Sequence, residues 1–255
     1  MADFSVKFNN YDLNLIPNLE FYRRFPNNEA EIALTEYDII RREGSVITDS
    51  KHKSKIITLE GYIQAPTRVA YEQALDELKF RTSGTNKRLI IQQGGSDRVY
   101  EATKENIIDK HIEAGKSEIS VSFRCSDPLG SSALPQIDSF STTSASFSLP
   151  HEFVGTAPTY PIISIAINSL TGGTNKVVGI GESTTGQQLQ VQRTWTSGDV
   201  VKFDIQKFGV YVNNVPSDYS GSFFTAPPRT SSVYYYDTLT TRDADINLSY
   251  DERYL

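Results

Sequence analysis

The stretch Ile56-Ile57-Thr58-Leu59-Glu60-Gly61-Tyr62-Ile63 decides how the chain is read. Ile57, Leu59 and Ile63 alternate with Thr58, Glu60 and Tyr62, the period of two of a half-buried strand. Pro66-Thr67 breaks the strand, and Thr67 is placed to cap a helix. Tyr71, Ala74, Leu75 and Leu78 recur at helical spacing, with Glu72, Asp76, Glu77 and Lys79 turned away, and Ser83-Gly84 ends the helix. Arg88 to Gln92 and Arg98 to Ala102 read as strands joined by a turn at Gly94-Gly95-Ser96-Asp97. Ile119, Val121, Phe123 and Cys125 alternate again before Asp127-Pro128. The unit predicted is one helix enclosed by antiparallel strands, an α+β arrangement.

Upstream, Phe4 to Leu15 reads as a strand interrupted by a turn at Asn9-Asn10. Phe21-Tyr22-Arg23-Arg24-Phe25 mixes aromatic and basic residues. A stacking platform for nucleic acid would use such residues, but in an acidic chain the reading is a strand, part core and part interface. Pro26-Asn27-Asn28 marks a turn. Ala33 to Arg42 is strand-like, Glu43-Gly44-Ser45 turns it, and Val46 to Ser54 is polar and charged. Two strands with a long polar tip, leading straight into the Ile56 strand, predict an extended hairpin. A charge run of this kind is either a solvated tip or a contact surface.

Downstream, Leu129 to Ser148 is rich in Ser and Thr and holds no basic residue. It reads as a linker or a loosely ordered lead into a second domain. The boundary is placed near residue 135, giving domains 1–135 and 136–255. From Phe147 onward no helix is predicted. Ile162 to Ile167, Lys176 to Ile180, Gln188 to Arg193, Val200 to Gln206, Phe208 to Val212, Phe223-Phe224, Val233 to Tyr236 and Ala244 to Tyr250 read as short strands. Turns separate them at Leu170 to Asn175 and at Asn213-Asn214, which predicts a β-sandwich.

The chain has 255 residues, 14 Tyr, 13 Phe and a formal net charge of −6. The acidic balance argues against a nucleic-acid-binding surface, and an acidic passage would repel phosphate. The single cysteine, Cys125, on the apolar face of its strand, reads as a core residue. With no disulfide framework, assembly in a reducing cytoplasm is expected. The N-terminus lacks an apolar h-region, and no window reaches the roughly 18 to 20 apolar residues of a membrane span. The expectation is therefore a chain without a signal peptide and without membrane insertion.

Chemistry is sparsely signalled. His52, His111 and His151 stand far apart in sequence, so no transition-metal site is predicted and each is read as a surface residue. No Ser lies in a G-x-S-x-G elbow. Gly179-Ile180-Gly181-Glu182-Ser183 lacks the P-loop Lys and a following helix, and is read as a turn. Asp199, Asp204 and Asp218 do not form a D-x-D-x-D-G calcium loop. Trp195, the sole Trp, is a candidate glycan contact, although a packing role is the preferred reading. No catalytic residue, cofactor or metal is assigned, and the chain is not expected to be an enzyme.

The order of a Gly-bearing strand (Leu59-Glu60-Gly61-Tyr62-Ile63), one amphipathic helix, Arg98-Val99-Tyr100, and a strand finishing Phe123-Arg124-Cys125-Ser126-Asp127-Pro128 resembles the distal tail protein family of siphophages, the Dit-like tail hubs. Gly209-Val210-Tyr211-Val212-Asn213-Asn214 and Tyr219-Ser220-Gly221-Ser222-Phe223 fit the late strands of that family's galectin-like second domain. Pro227-Pro228-Arg229-Thr230 departs from its usual Gly-Asn turn. The resemblance implies a mainly β fold with one principal helix: an N-terminal α+β, barrel- or sandwich-like ring-forming domain and a C-terminal galectin-like β-sandwich. It implies a structural virion protein at the tip of a long non-contractile tail, assembled in the bacterial host cytoplasm. A hexameric ring would surround a channel through which DNA passes without specific binding. The partners implied are the tail tube protein, a tail-associated lysin or hub, and receptor-binding proteins. Arg41, Arg42, Lys51, Lys53 and Lys55, on and beside the predicted hairpin, are the candidate subunit-interface charges. The alternatives are a galectin-like carbohydrate-binding module for host attachment, a cell-wall hydrolase, and a tail-tube protein.

Overall fold

The computed structural model describes residues 4–25, 31–38, 45–93, 96–113, 115–229 and 232–255. The chain divides into two compact units, residues 1–133 and 134–254. The strands of the first unit are β1 (Phe4–Phe8), β2 (Tyr11–Asp12), β3 (Leu19–Phe25), β4 (Ile32–Asp38), β5 (Ser45–His52), β6 (Lys55–Gln64), β7 (Lys87–Gln93), β8 (Ser96–Glu113), β9 (Lys116–Cys125) and β10 (Gly130–Ser131). The helix α1 is Arg68–Arg81. One antiparallel sheet runs in the order β2-β1-β7-β8-β9-β6-β3, and β4 and β5 form a separate two-stranded sheet.

The alternation read in the sequence sets this sheet. Ile57, Leu59 and Ile63 of β6 are buried beside Ile119, Val121, Phe123 and Cys125 of β9, while Thr58, Glu60, Ser120 and Ser122 face outward. Thr67 caps α1, its hydroxyl accepting from the Ala70 amide at 3.2 Å. Ala74, Leu75 and Leu78 dock the helix onto the same core. Asn9 and Asn10 both adopt positive φ, the hairpin turn the sequence indicated. The sheet curls until β1 and β3 approach each other. There Asn14 donates to the Phe4 carbonyl at 3.1 Å and accepts from the Phe21 amide at 3.4 Å. Gly61 permits the close fit of β3 over β6, since a Cβ there would collide with the Glu20 carbonyl. β8 is much longer than Arg98 to Ala102, because its far half pairs with β9 out to Glu113 opposite Lys116. Of the expected turn Gly94-Gly95-Ser96-Asp97, the glycines lie outside the described residues while Ser96 and Asp97 already belong to β8, and the turn at Pro26-Asn27-Asn28 lies outside the described residues.

The second unit holds β11 (Gln136–Thr142), β12 (Ser146–Ser148), β13 (Ile162–Thr171), β14 (Lys176–Glu182), β15 (Gln188–Arg193), β16 (Val200–Asp204), β17 (Gly209–Val212), β18 (Val215–Pro216), β19 (Ser220–Gly221), β20 (Val233–Asp237), β21 (Thr241–Tyr250) and β22 (Arg253–Tyr254). Two sheets, β11-β21-β13-β16-β17-β18 and β12-β20-β14-β15-β19, face each other across one core. Ile163, Ile165, Ile167, Ile246 and Leu248 come from the first, and Val178, Ile180, Leu189 and Tyr235 from the second. This is a β-sandwich.

Three readings are corrected here. Residues 136–142 and 146–148 are strands rather than a linker: β11 pairs along β21, and Ser139 and Ser141 donate to Asn247 and Asp245, both at 2.6 Å. Gly179 and Gly181 lie within β14 and are not a turn. Phe223-Phe224 is not a strand.

Buried polar groups fix the sandwich loops. Asp237, with a fully buried side chain, accepts from Arg242 at 2.9 Å, from the Leu239 amide at 2.7 Å and from the Tyr235 hydroxyl. Removing the guanidinium strands that carboxylate, so Arg242→Ala is expected to cost about 3–5 kcal/mol in urea unfolding. Burial pushes the Glu182 and Asp199 carboxyls up. Hydrogen bonds from Thr184 and Thr185 to Glu182, and from Asn213 and Thr196 to Asp199, outweigh that and hold both below their usual values. Depressed folded values mean that this stabilisation is complete above the unfolded carboxylate range of about 4 and is lost as pH falls through the folded values. Urea midpoints are expected to hold from neutral pH to about 5 and then fall, and Glu182→Gln with Asp199→Asn should flatten the acid limb.

Candidate assembly surfaces

The strand β3 ends one side of the sheet, and the chain leaves it for β4 and β5 before returning as β6, the neighbour of β3. The β4–β5 hairpin is therefore an excursion between two strands that pair directly. Its neck is clamped twice between Glu31 and Lys53, by a backbone bond of 2.7 Å and a side-chain ion pair of 2.6 Å.

Along the hairpin Ile32 lies opposite His52 and Leu34 opposite Ser50, on one face. A bulge between Thr35 and Glu36 shifts the register by one residue, and the Thr48 hydroxyl donates to the Thr35 carbonyl beside it. The shift sets Ile47 opposite Glu36 rather than Tyr37, which turns Ile47 onto the face of Ile32 and Leu34. These three side chains are 48%, 50% and 56% exposed. Tyr37, on the other face, is also exposed. An isolated two-stranded sheet is marginal in water, and this one carries an uncovered aliphatic stripe.

The sequence pointed to charge on this element. Lys51 is exposed but sits 3.3 Å from Asp49, and Lys53 belongs to the neck pair. Lys55 is not a surface charge: it is 6% exposed, at the start of β6 opposite Cys125. Arg41 and Arg42 lie outside the described residues. The aliphatic stripe went unread because the bulge that assembles it leaves no mark in the spacing of the residues.

The outer face of β3, β6, β9 and β8 is a second surface. Thr58, Ser120, Ser122 and Asn106 give it hydroxyl and amide groups. Among the described side chains of these strands, the cations Lys110, Lys116 and Arg124 on this face are each engaged, by Glu118 at 3.7 Å, by Glu113 at 3.9 Å and by Glu105. Tyr62 donates to Glu20 across the β3–β6 pair, and this hydrogen bond together with burial raises the phenol pKa.

Trp195 is not available to a sugar. It is 2% exposed in the sandwich core, and its indole N–H donates to the Lys176 carbonyl at 2.9 Å. His151, read as a surface residue, is largely buried, with Nδ1 2.7 Å from Asp138 and its ring edge-on to Phe153 and Tyr250. Asp199 and Asp204 are likewise buried and bonded to local backbone. Among the described residues no group of three or more His, Cys, Asp or Glu side chains could hold a metal ion, and no helix is long and apolar enough to cross a membrane.

Residues 154–254 match the family model described as the C-terminal domain of the siphovirus-type tail component. The fold of the whole chain is similar to that of the Dit protein of phage SPP1, described as a paradigm of the hub of the adsorption apparatus in phages that infect Gram-positive bacteria. The TM-score is 0.76 at 15% identity, covering 99% of this chain and 100% of that one. A chain of the phage P2 baseplate in its activated conformation with calcium aligns over 98% of both chains at 7% identity, with a TM-score of 0.45. No curated protein sequence matches significantly. Residues 154–254 thus carry the C-terminal domain of a siphovirus-type tail component, and the chain as a whole has the fold of the SPP1 Dit protein.

Proposed function

We propose that six copies of this chain close into a ring at the tip of a long non-contractile phage tail, where the ring surrounds the DNA passage and carries baseplate or receptor-binding proteins. The observation that carries the ring is the uncovered stripe of Ile32, Leu34 and Ile47 on a hairpin that no other strand of the described chain supports. Each of these half-exposed aliphatic side chains gains about 1 kcal/mol on burial against a neighbour. Beyond Phe21, where Asn14 bridges it to β1, the outer edge of β3 pairs with no described strand and is a template for further contact. A hairpin on one copy meeting a different surface on the next is a heterologous contact, and such contacts close into rings when the rotation allows. The outer sheet face suits the passage: among the described side chains its hydroxyl groups and paired cations offer phosphate no run of free positive charge. The expected partners are the tail tube, a tail-associated hub and receptor-binding proteins, and the expected location is the virion tail tip after assembly in the host cytoplasm.

Light scattering with negative-stain imaging tests the ring. Six copies of a 28.5 kDa chain weigh about 171 kDa, and particles of that mass or twice it should show a central hole. A single-copy mass, with no such ring at the tip of intact tails, would overturn the reading. The double substitution Leu34→Lys and Ile47→Lys is expected to move the mass toward one copy while changing the melting temperature little, since neither side chain is buried in the chain itself. Lys51→Glu with Lys53→Glu should weaken the ring less, because exposed ion pairs contribute about 0–1 kcal/mol. A ring that survives the Leu34/Ile47 pair unchanged removes the hairpin as the contact.

A further inference from the structure

The outer face of the sheet β12-β20-β14-β15-β19 differs from the outer face of the sheet that opposes it. Across its strands run two rows set by the register. Ser148, Tyr234, Gly181 and Gln188 make one, and Ser146, Tyr236, Gly179, Gln190 and Ser220 make the other. Among the described residues no charged side chain stands on this face of these strands, in a chain that is 22% charged. The outer face of the opposing sheet, by contrast, carries Asp243, Asp245 and Lys202.

The two tyrosines are held in one pose. Tyr236 lies across Gly179 and Tyr234 across Gly181, and a Cβ on either glycine would strike the ring, within 2.5 Å of Tyr236 Cζ in the case of Gly179. Each hydroxyl is tied to the next strand. Gln188 donates to the Tyr234 hydroxyl at 2.8 Å, and the Tyr236 hydroxyl donates to Gln190 at 2.9 Å. Gln190 in turn donates to Ser220 at 3.1 Å. The rings sit 6.0 Å apart, centroid to centroid. One side of each ring is pressed on the glycine floor, and the other is left toward solvent among amides and hydroxyls. Burial and the neighbouring Tyr234 push the Tyr236 hydroxyl up to about 12, so it remains a donor at any physiological pH.

We propose that this face binds a neutral saccharide, its C–H faces stacked on Tyr234 and Tyr236 and its hydroxyls bonded to Gln188, Gln190 and the flanking serines. Preset aromatic planes with a few fixed polar groups are what a small polar ligand needs. The lack of charge matches an uncharged polyol and gives an acidic polymer nothing to pair with. A protein interface draws on Arg and Met as well as aromatics; here the tyrosines stand among serines, glutamines and glycines, without Arg or Met on these strands' outer face. The assignment is independent of the ring.

The test is an array of neutral and acidic oligosaccharides probed with the full chain, followed by calorimetric titration of the best neutral binder. Binding should be confined to neutral sugars and should fall about tenfold or more in the Tyr234→Ser/Tyr236→Ser variant. Tyr211→Ser, on the other sheet, should leave it unchanged. If the double tyrosine variant melts early, Gln190→Leu decides by the same titration, with a several-fold loss expected. An array with no neutral sugar bound overturns the proposal and leaves the ring assignment untouched. So does binding restricted to acidic sugars, and so does an affinity that survives both variants. Protection of this face in cross-linked tails, without any sugar bound, would reassign it to a protein partner.

Discussion

The ladder between β6 and β9 holds the first unit together. It runs without a break from Lys55 opposite Cys125 to Gln64 opposite Lys116. Because the side chains of a strand alternate strictly, this one register sends Ile57, Leu59, Ile63, Ile119, Val121 and Phe123 inward and Thr58, Glu60, Tyr62, Ser120 and Ser122 outward. A slip of one residue would expose all of them. Everything else is referred to this ladder: α1 packs on its apolar side, β3 and β8 extend it on either flank, and the polar outer face is what remains.

That ladder is also the part most legible in the sequence. The alternation in 56–63 and 119–125, the Thr67 cap and the helical spacing of Ala74, Leu75 and Leu78 each have a local cause, and each appears where it was read. What stayed hidden was set by partners distant in sequence. Residues 136–142 hold too few alternating apolar side chains to announce a strand, because β11 is an edge strand whose serines bond to β21. Gly179 and Gly181 look like turn residues, and only the tyrosines of a strand some 55 residues later explain them. The aliphatic stripe of the hairpin stayed hidden for a related reason. Charges are conspicuous in this part of the sequence, and of those described Lys51 and Lys53 sit beside carboxylates and Lys55 lies at a buried strand end.

The two units solve the same problem differently. The first buries one face of a curled sheet under a single helix and leaves the other face polar. The second buries the inner faces of two sheets against each other and so has two outer faces to dispose of. One of these carries ordinary mixed charge. The other is stripped of charge and floored with glycine, an arrangement that sandwich packing does not require and that weakens strand propensity.

The hairpin leaves the sheet between β3 and β6, yet those two strands take their register from each other and from Gly61, not from the chain that joins them. The double clamp of Glu31 and Lys53 closes the excursion at its root. The excursion is thus a cassette: a change in its length or sequence need disturb no core position of the sheet, so the proposed contact between copies would be tunable apart from the domain that bears it.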